Sequence, residues 1–202
     1  MVPWPGDPLL QSNPLAKKVK CKVSIHQAGL DTRIISELPE LLQERVERHW
    51  HDYRKASDGA SVIDDAQLTG EAVRVWAASD FVAQSCVRAP GMLADLISSG
   101  ELFSSRPEGW YREHITRLLE SASGEQELGE ILRRFRRREM VRIAWRDLSR
   151  RADLNEITGD LSSLADACID AALGQLYRWH REQWGTPADR SGQAQSMVVL
   201  GM

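Results

Sequence analysis

The sequence EQELGEILRRFRRREMVRIAWRDLSRR, residues Glu125 to Arg151, decides the fold. Its apolar residues recur three or four positions apart, which is the spacing of one side of an α-helix. A second long helix is predicted from Asn155 to about Trp184, because the same spacing continues until Gly185 ends it. Two neighbouring helices of this length favour a helical bundle.

Shorter helices are predicted before this pair, over about residues 37–58, 69–88, 90–100 and 110–119. The helix over 69–88 is expected to place Phe81 on its inward side. Residues 1–36 differ because they contain four prolines and four lysines, with little apolar surface to bury. We expect them to form a poorly ordered tail. A short phosphate-attracting arm and sequence upstream of the true translation start are the alternatives.

The last six residues, MVVLGM at 197–202, are typical of a buried strand that runs into a glycine turn. A strand of this kind needs partners, because unpaired backbone groups and apolar side chains at an edge favour aggregation. The rest of the chain contains no comparable strand cluster. We therefore expect residues 186–202 to be the loop and first strand of a sheet-containing domain, and the chain to be the front part of a larger protein.

The composition excludes several classes of function. The formal net charge of -3 gives no general attraction to nucleic acid or to anionic membranes. No apolar run approaches the roughly 20 residues of a membrane-spanning helix. Three widely separated cysteines and the lack of a secretory signal at the first residues predict a cytoplasmic protein with reduced thiols. We expect neither a nucleic acid nor a membrane as a partner.

The arginines of the long helix are the densest charge feature. Arg134, Arg138, Arg142 and Arg146 recur every four positions and therefore share one helix face. Guanidinium groups bind phosphate in bidentate geometry, so Arg134, Arg138 and Arg142 are candidates for binding an anion or a partner. The alternative is a set of ion pairs with nearby carboxylates: Glu130, Glu139, Asp147 and Asp153. No catalytic, cofactor-binding or metal-binding residues are predicted, because no suitable set shares the required spacing.

Two strings carry a family resemblance. One is LRRFRRREMVRIAWRD at 132–147, and the other is WGTP at 184–187 followed by GQAQ at 192–195 and VVLGM at 198–202. In this order, with a long helix between them, they closely resemble the bifunctional glutamine synthetase adenylyltransferase/adenylyl-removing enzyme of bacteria. The resemblance extends over roughly residues 38–202.

The resemblance implies two nucleotidyltransferase-like domains in the parent enzyme. One removes AMP from a tyrosine of glutamine synthetase by phosphorolysis, the other adds AMP from ATP, and a nitrogen-status signal protein selects between them. Residues 37–185 would be the helical N-terminal part of the adenylyl-removing domain, and 186–202 would begin its truncated nucleotidyltransferase-like α/β core.

In this family the strand leads to an Asp-x-Asp pair that binds Mg²⁺, and here that pair would follow Met202. The resemblance therefore implies that Mg²⁺, ATP and phosphate belong to the parent enzyme, while this part alone is inactive and binds no cofactor. A rival hypothesis is a non-catalytic helical interaction module. It would use the arginine-rich helix to dock an acidic or phosphorylated partner.

Overall fold

The computed structural model describes residues 32–58, 63 and 65–199, and this part of the chain is mainly helical. The mainly α class predicted from the sequence is therefore confirmed. The described helices are α1 (Thr32–Ser36), α2 (Glu40–Ala56), α3 (Ala66–Ala78), α4 (Asp80–Arg88), α5 (Pro90–Ser98), a 3-10 turn (Glu101–Phe103), α6 (Trp110–Leu119), α7 (Glu125–Leu148) and α8 (Leu154–Trp184).

The prediction of one continuous helix over residues 69–88 is wrong. Ser79 is extended, with φ −142° and ψ 103°, and it separates α3 from α4. Its side-chain oxygen accepts a hydrogen bond from the backbone N–H of Val82 at 3.3 Å, as an N-cap serine does. The helical apolar spacing continues across this break and conceals it. Phe81, expected to point inward, is 47% exposed.

The two long helices agree closely with the sequence. α8 begins after Asp153, whose side chain accepts from the N–H of Glu156 at 2.9 Å, and it ends at Gly185 with φ 85°. α7 ends at Leu148, three residues earlier than expected. Arg150 there has φ 58°, a left-handed conformation that no longer continues a helix.

The core consists of two apolar clusters, and α7 contributes to both. The first contains Trp50, Tyr53 and Trp76 together with Val141 and Trp145 of α7. The second is formed by α6, α7 and α8 through the buried side chains of Tyr111, Ile115, Leu119, Leu128, Phe135 and Leu164. α7 is therefore the element that joins the two halves of the core.

Helix α1 lies within residues 1–36, where a poorly ordered tail was expected. Residues 1–31 lie outside the described part of the chain, but Thr32–Ser36 form α1, and Ile35 is 5% exposed within the first apolar cluster. α2 then begins at Glu40, after Pro39, rather than near residue 37. Proline precedes the helix there because its φ is already suitable and it has no N–H to satisfy.

The segment after α8 is a loop in which Ala188 and Ala194 form an isolated antiparallel bridge. Tyr177 donates its hydroxyl hydrogen to the backbone oxygen of Gln195 at 2.8 Å. Residues 197–199 belong to no strand and are exposed by 55–70%. The strand expected at 197–202 is therefore not present within residues 65–199, where no second strand is available to pair with it. Leu200, Gly201 and Met202 are outside the described residues.

Candidate functional site

The inner side of α7 is charged as well as apolar. Arg138, Glu139, Arg142 and Arg146 are all less than 9% exposed, and Arg142 and Glu139 are completely buried. Charged side chains are rarely buried to this degree unless they are paired and hydrogen-bonded. The partners come from the 3-10 turn, the loop after it, α6 and α8.

Arg142 contacts three of these elements. Its Nη1 donates to Oδ2 of Asp160 on α8 at 2.9 Å, and the Tyr111 hydroxyl on α6 lies 3.4 Å from the same nitrogen. Its Nε donates to the backbone oxygen of Glu101 at 3.1 Å, and its Nη2 donates to the backbone oxygen of Ser104. One guanidinium group therefore holds the segment after α5 against α6, α7 and α8.

A second set of contacts surrounds Glu139. Nε and Nη2 of Arg106 donate to its two carboxylate oxygens at 2.9–3.2 Å. Nη1 of Arg138 donates to the same carboxylate at 2.7 Å. Arg106 and Arg138 also both bond Glu101, at 3.1 and 2.5 Å. Two arginines and two glutamates thus form a closed ion-pair ring between α7 and the 100–106 segment.

Two further pairs extend the network along α7. Arg146 donates from Nε and Nη2 to Oε1 of Glu156 at 3.0 and 2.6 Å, which ties α7 to the first turn of α8. Glu71 on α3 accepts from Arg151 at 2.6 and 2.9 Å and from the indole N–H of Trp145 at 3.2 Å. The network therefore reaches both apolar clusters.

The network also changes proton affinities. Burial raises the pKa of Glu101, but the hydrogen bond from Arg106 and the charge of Arg138 outweigh it and bring that pKa down to about 2. Burial raises the pKa of the Tyr111 hydroxyl, and the negative charge of Glu139 raises it further. Tyr111 is therefore a neutral hydrogen-bonding group at physiological pH, and Glu101 is ionised.

Stacked rings form one wall beside this network. The Arg106 guanidinium carbon lies 3.5 Å from the centroid of the Trp110 ring. Trp110 stacks on His114 with centroids 4.4 Å apart, and Phe135 of α7 lies 6.2 Å from Trp110. These contacts fix the orientation of Arg106 toward Glu139.

A surface groove of about 500 Å³ opens beside the network, between α6 and the first half of α8. Arg106, Tyr111, Glu156 and Asp160 contribute to its lining, together with exposed polar side chains. All four are already engaged in hydrogen bonds within the network. The arrangement therefore fixes helices and loops relative to one another.

The three sequence-predicted binding residues are not brought together at one surface. Arg138 and Arg142 lie in the internal network, whereas Arg134 is exposed about one turn before Arg138 on the same helix. Of the carboxylates suggested as ion-pair partners, Glu139 pairs with Arg138, while Asp153 caps α8.

Sequence reasoning did not identify the principal partners, which are Glu101, Arg106, Glu156 and Asp160. Asp160 is 18 positions from Arg142, and Glu101 is 37 positions from Arg138. One signal was available. There are five arginines within residues 133–138, on a helix that also has a buried apolar face. Five arginines so close together cannot all point away from that face.

The described residues form neither a metal-binding cluster nor a membrane-spanning helix. No group of three or more His, Cys, Asp and Glu side chains could hold a metal ion in the described ranges. Among the helices of the same ranges, none is both long and apolar enough to cross a membrane.

Comparison with known proteins decides the family. The profile of the glutamate-ammonia ligase adenylyltransferase family matches residues 69–202, which include most of α3, all of α4 to α8 and the whole α7 network. This chain belongs to that family. The resemblance inferred from the two strings at 132–147 and 184–202 is thereby confirmed.

Relatives in the adenylyltransferase family are similar over most of the chain. A Pseudomonas aeruginosa protein is 43% identical over 190 residues, which is 94% of this chain, and a Nitrosococcus oceani protein is 43% identical over 171 residues, or 83%. A Pseudomonas syringae protein is 53% identical over 130 residues, or 64%. Each is named a bifunctional glutamine synthetase adenylyltransferase/adenylyl-removing enzyme. The chain spans 17%, 18% and 13% of their lengths, respectively.

Proposed function

We propose that this chain is the helical N-terminal part of the adenylyl-removing domain of a bifunctional enzyme that regulates glutamine synthetase. The observation that carries the proposal is the 43% identity over 94% of the chain with a relative of that name. The α7 network supports a scaffolding role, because it fixes α6, α7, α8 and the 100–106 segment by buried ion pairs.

In the parent enzyme, orthophosphate would attack the phosphorus of the AMP–tyrosine bond. The bond from phosphorus to the tyrosine oxygen would break, giving ADP and the unmodified tyrosine. Among the described residues, no group of three or more His, Cys, Asp and Glu side chains could hold a metal ion, and the paired carboxylates of Glu101 and Glu139 are neutralised by Arg106 and Arg138. We therefore assign no step of the reaction to this chain and place Mg²⁺, ATP and phosphate in the rest of the parent enzyme.

Residues 186–202 would connect α8 to the first strand of a nucleotidyltransferase-like core. Pairing of 197–202 with a neighbouring strand would bury Met197, Val198 and Val199, which are exposed by 66%, 70% and 55%. Glutamine synthetase is the proposed protein substrate, and a nitrogen-status signal protein would act through other regions of the parent enzyme in the cytoplasm.

The test compares this chain with the full-length protein of a relative, such as that of Pseudomonas aeruginosa. Both are incubated with adenylylated glutamine synthetase, phosphate and Mg²⁺, and the release of ADP is measured. We expect turnover by the full-length relative and none by the 202-residue chain. Turnover by the chain alone would show that it carries its own catalytic site.

A full-length hybrid in which residues 38–202 of this chain replace the matching part of the relative should be active, and an inactive but folded hybrid would refute the scaffold role.

A further inference from the structure

A second groove lies on the side of α7 opposite the ion-pair network. It is a cavity of about 630 Å³ between α4, α7 and the middle of α8. Its floor is apolar and is formed mainly by Phe81, Leu132, Met140, Ile169 and Ala172. Phe81 and Ile169 are 47% and 43% exposed, although side chains of this kind are usually buried. We call this feature the α4–α7–α8 groove.

The rim of the groove is strongly positive. Arg133, Arg136 and Arg137 line it, and all three are exposed. They occupy positions i, i+3 and i+4 of α7, so their charges lie on adjacent turns of one face. Among residues 32–58, 63 and 65–199, none of the three forms an ion pair with a carboxylate, in contrast with Arg138, Arg142 and Arg146.

We propose that this groove docks an acidic amphipathic helix of a partner protein. The apolar floor requires apolar side chains to cover it, and the three guanidinium groups require carboxylates beside them. A helix with leucine-like side chains on one face and glutamates at its border satisfies both requirements in a groove between helices. A small inorganic anion would satisfy the arginines and leave Phe81 and Ile169 exposed.

Charge also argues against this chain's own N-terminal segment as the occupant. Residues 1–31 contain Lys17, Lys18, Lys20 and Lys22 against two aspartates, so the segment is net positive like the groove rim. The occupant must carry the opposite sign. The inference depends on the geometry of α4, α7 and α8 and is independent of the function proposed above.

The test uses the 202-residue chain and a synthetic acidic helix of about 15 residues, with leucines at helical spacing and glutamates flanking them. Fluorescence anisotropy measures binding at low salt. We expect binding to weaken about tenfold or more in R133E/R136E/R137E and to be nearly unchanged in R117E/R178E/R190E. The second triple variant is a matched control, because it reverses three exposed arginines outside the groove.

Cys168 gives a local readout, because it lines the groove and is partly exposed, whereas Cys86 is buried. Bound peptide should slow alkylation of Cys168 by iodoacetamide, measured by mass spectrometry. Ile169→Gln leaves every arginine in place and should also weaken binding, which keeps the test valid if the charge-reversed variant folds poorly.

Three results would overturn the proposal. The first is equal binding of a peptide with the same composition but no apolar face. The second is an equal loss of affinity in the two triple variants, which would indicate that the acidic peptide is attracted to exposed arginines in general and not to the groove. The third is self-association of the wild-type chain in sedimentation experiments that R133E/R136E/R137E abolishes, because the groove would then bind a second copy of this chain.

Discussion

The two sides of α7 carry the same residue type in different roles. Arg138, Arg142 and Arg146 are buried and each meets a carboxylate, whereas Arg133, Arg136 and Arg137 are exposed at a groove rim. Both sets of arginines belong to the same stretch of α7, so their different roles come from the elements that pack against each side of the helix. The 3-10 turn and α8 bring Glu101, Glu156 and Asp160 to one side, and no carboxylate pairs with the rim arginines within the described chain. An arginine becomes structural where a distant element supplies its counter-charge.

The largest expected effect is the loss of the guanidinium at the centre of the network. Arg142→Met should lower the free energy of unfolding by about 3–5 kcal/mol, because it leaves Asp160 buried without its counter-charge. Arg137→Met makes the same chemical change on the exposed side and should alter it by less than about 0.5 kcal/mol. Urea unfolding followed by circular dichroism gives both values. Equal losses in the two variants would remove the distinction between the two sides.

A second comparison uses two aspartates of α8. Asp160 is 8% exposed and pairs with Arg142, whereas Asp170 pairs with Arg112 at 2.8 Å with both side chains more than half exposed. Asp160→Asn should cost about 1.5–3 kcal/mol of unfolding free energy, since it weakens a buried hydrogen bond between charged groups. Asp170→Asn should cost at most about 1 kcal/mol, because an exposed pair is screened by solvent. Adding salt should reduce the stability loss of Asp170→Asn and leave that of Asp160→Asn unchanged. The opposite salt dependence would contradict the view that the Asp160 pair is buried and the Asp170 pair is solvent-screened.

The smallest expected effect is the loss of unfolding free energy when Glu101 is protonated at low pH. The pKa of Glu101 is about 2 in the folded chain, below its ordinary value of 4.5, so its contribution to stability is present above about pH 4.5 and is lost as the pH falls toward 2. Because Glu101 is partly exposed, we expect the contribution to be only about 1–2 kcal/mol. The unfolding free energy of Glu101→Gln should therefore decline less steeply than that of the wild type between pH 4.5 and pH 2.

The matched control for the acid experiment is Glu120→Gln, which changes an exposed glutamate outside the network. It should retain the wild-type pH dependence. The pKa of Glu71 is also lowered, and its contribution is common to all three proteins, so it cancels in the comparison. If Glu101→Gln and wild type lose stability in parallel, Glu101 does not contribute through ionisation.

Much of the helical framework follows from local sequence. Pro90 begins α5, Gly185 ends α8 and Asp153 caps α8, and each acts through its own backbone or side chain. The break at Ser79 was missed for an equally local reason. A serine can cap a helix or lie within one, and the apolar spacing of α3 and α4 does not distinguish the two.

The candidate site was less predictable than the fold. Four-residue spacing correctly places Arg138, Arg142 and Arg146 on one face, but it does not say whether that face meets solvent or carboxylates. The carboxylates belong to other elements, with Glu101 lying 37 positions before Arg138. Only the packing of the 3-10 turn and α8 against α7 brings them together. The α4–α7–α8 groove was missed because Phe81 was expected inside.

The central claim is that the buried arginines of α7 act through internal carboxylates, and a double-mutant cycle tests it most directly. Urea unfolding free energies are measured for wild type, Arg142→Met, Asp160→Leu and the double variant. We predict that the double variant is more stable than the sum of the single losses implies, with a coupling energy of about 1–3 kcal/mol. Additive losses, with a coupling energy near zero, would contradict the claim.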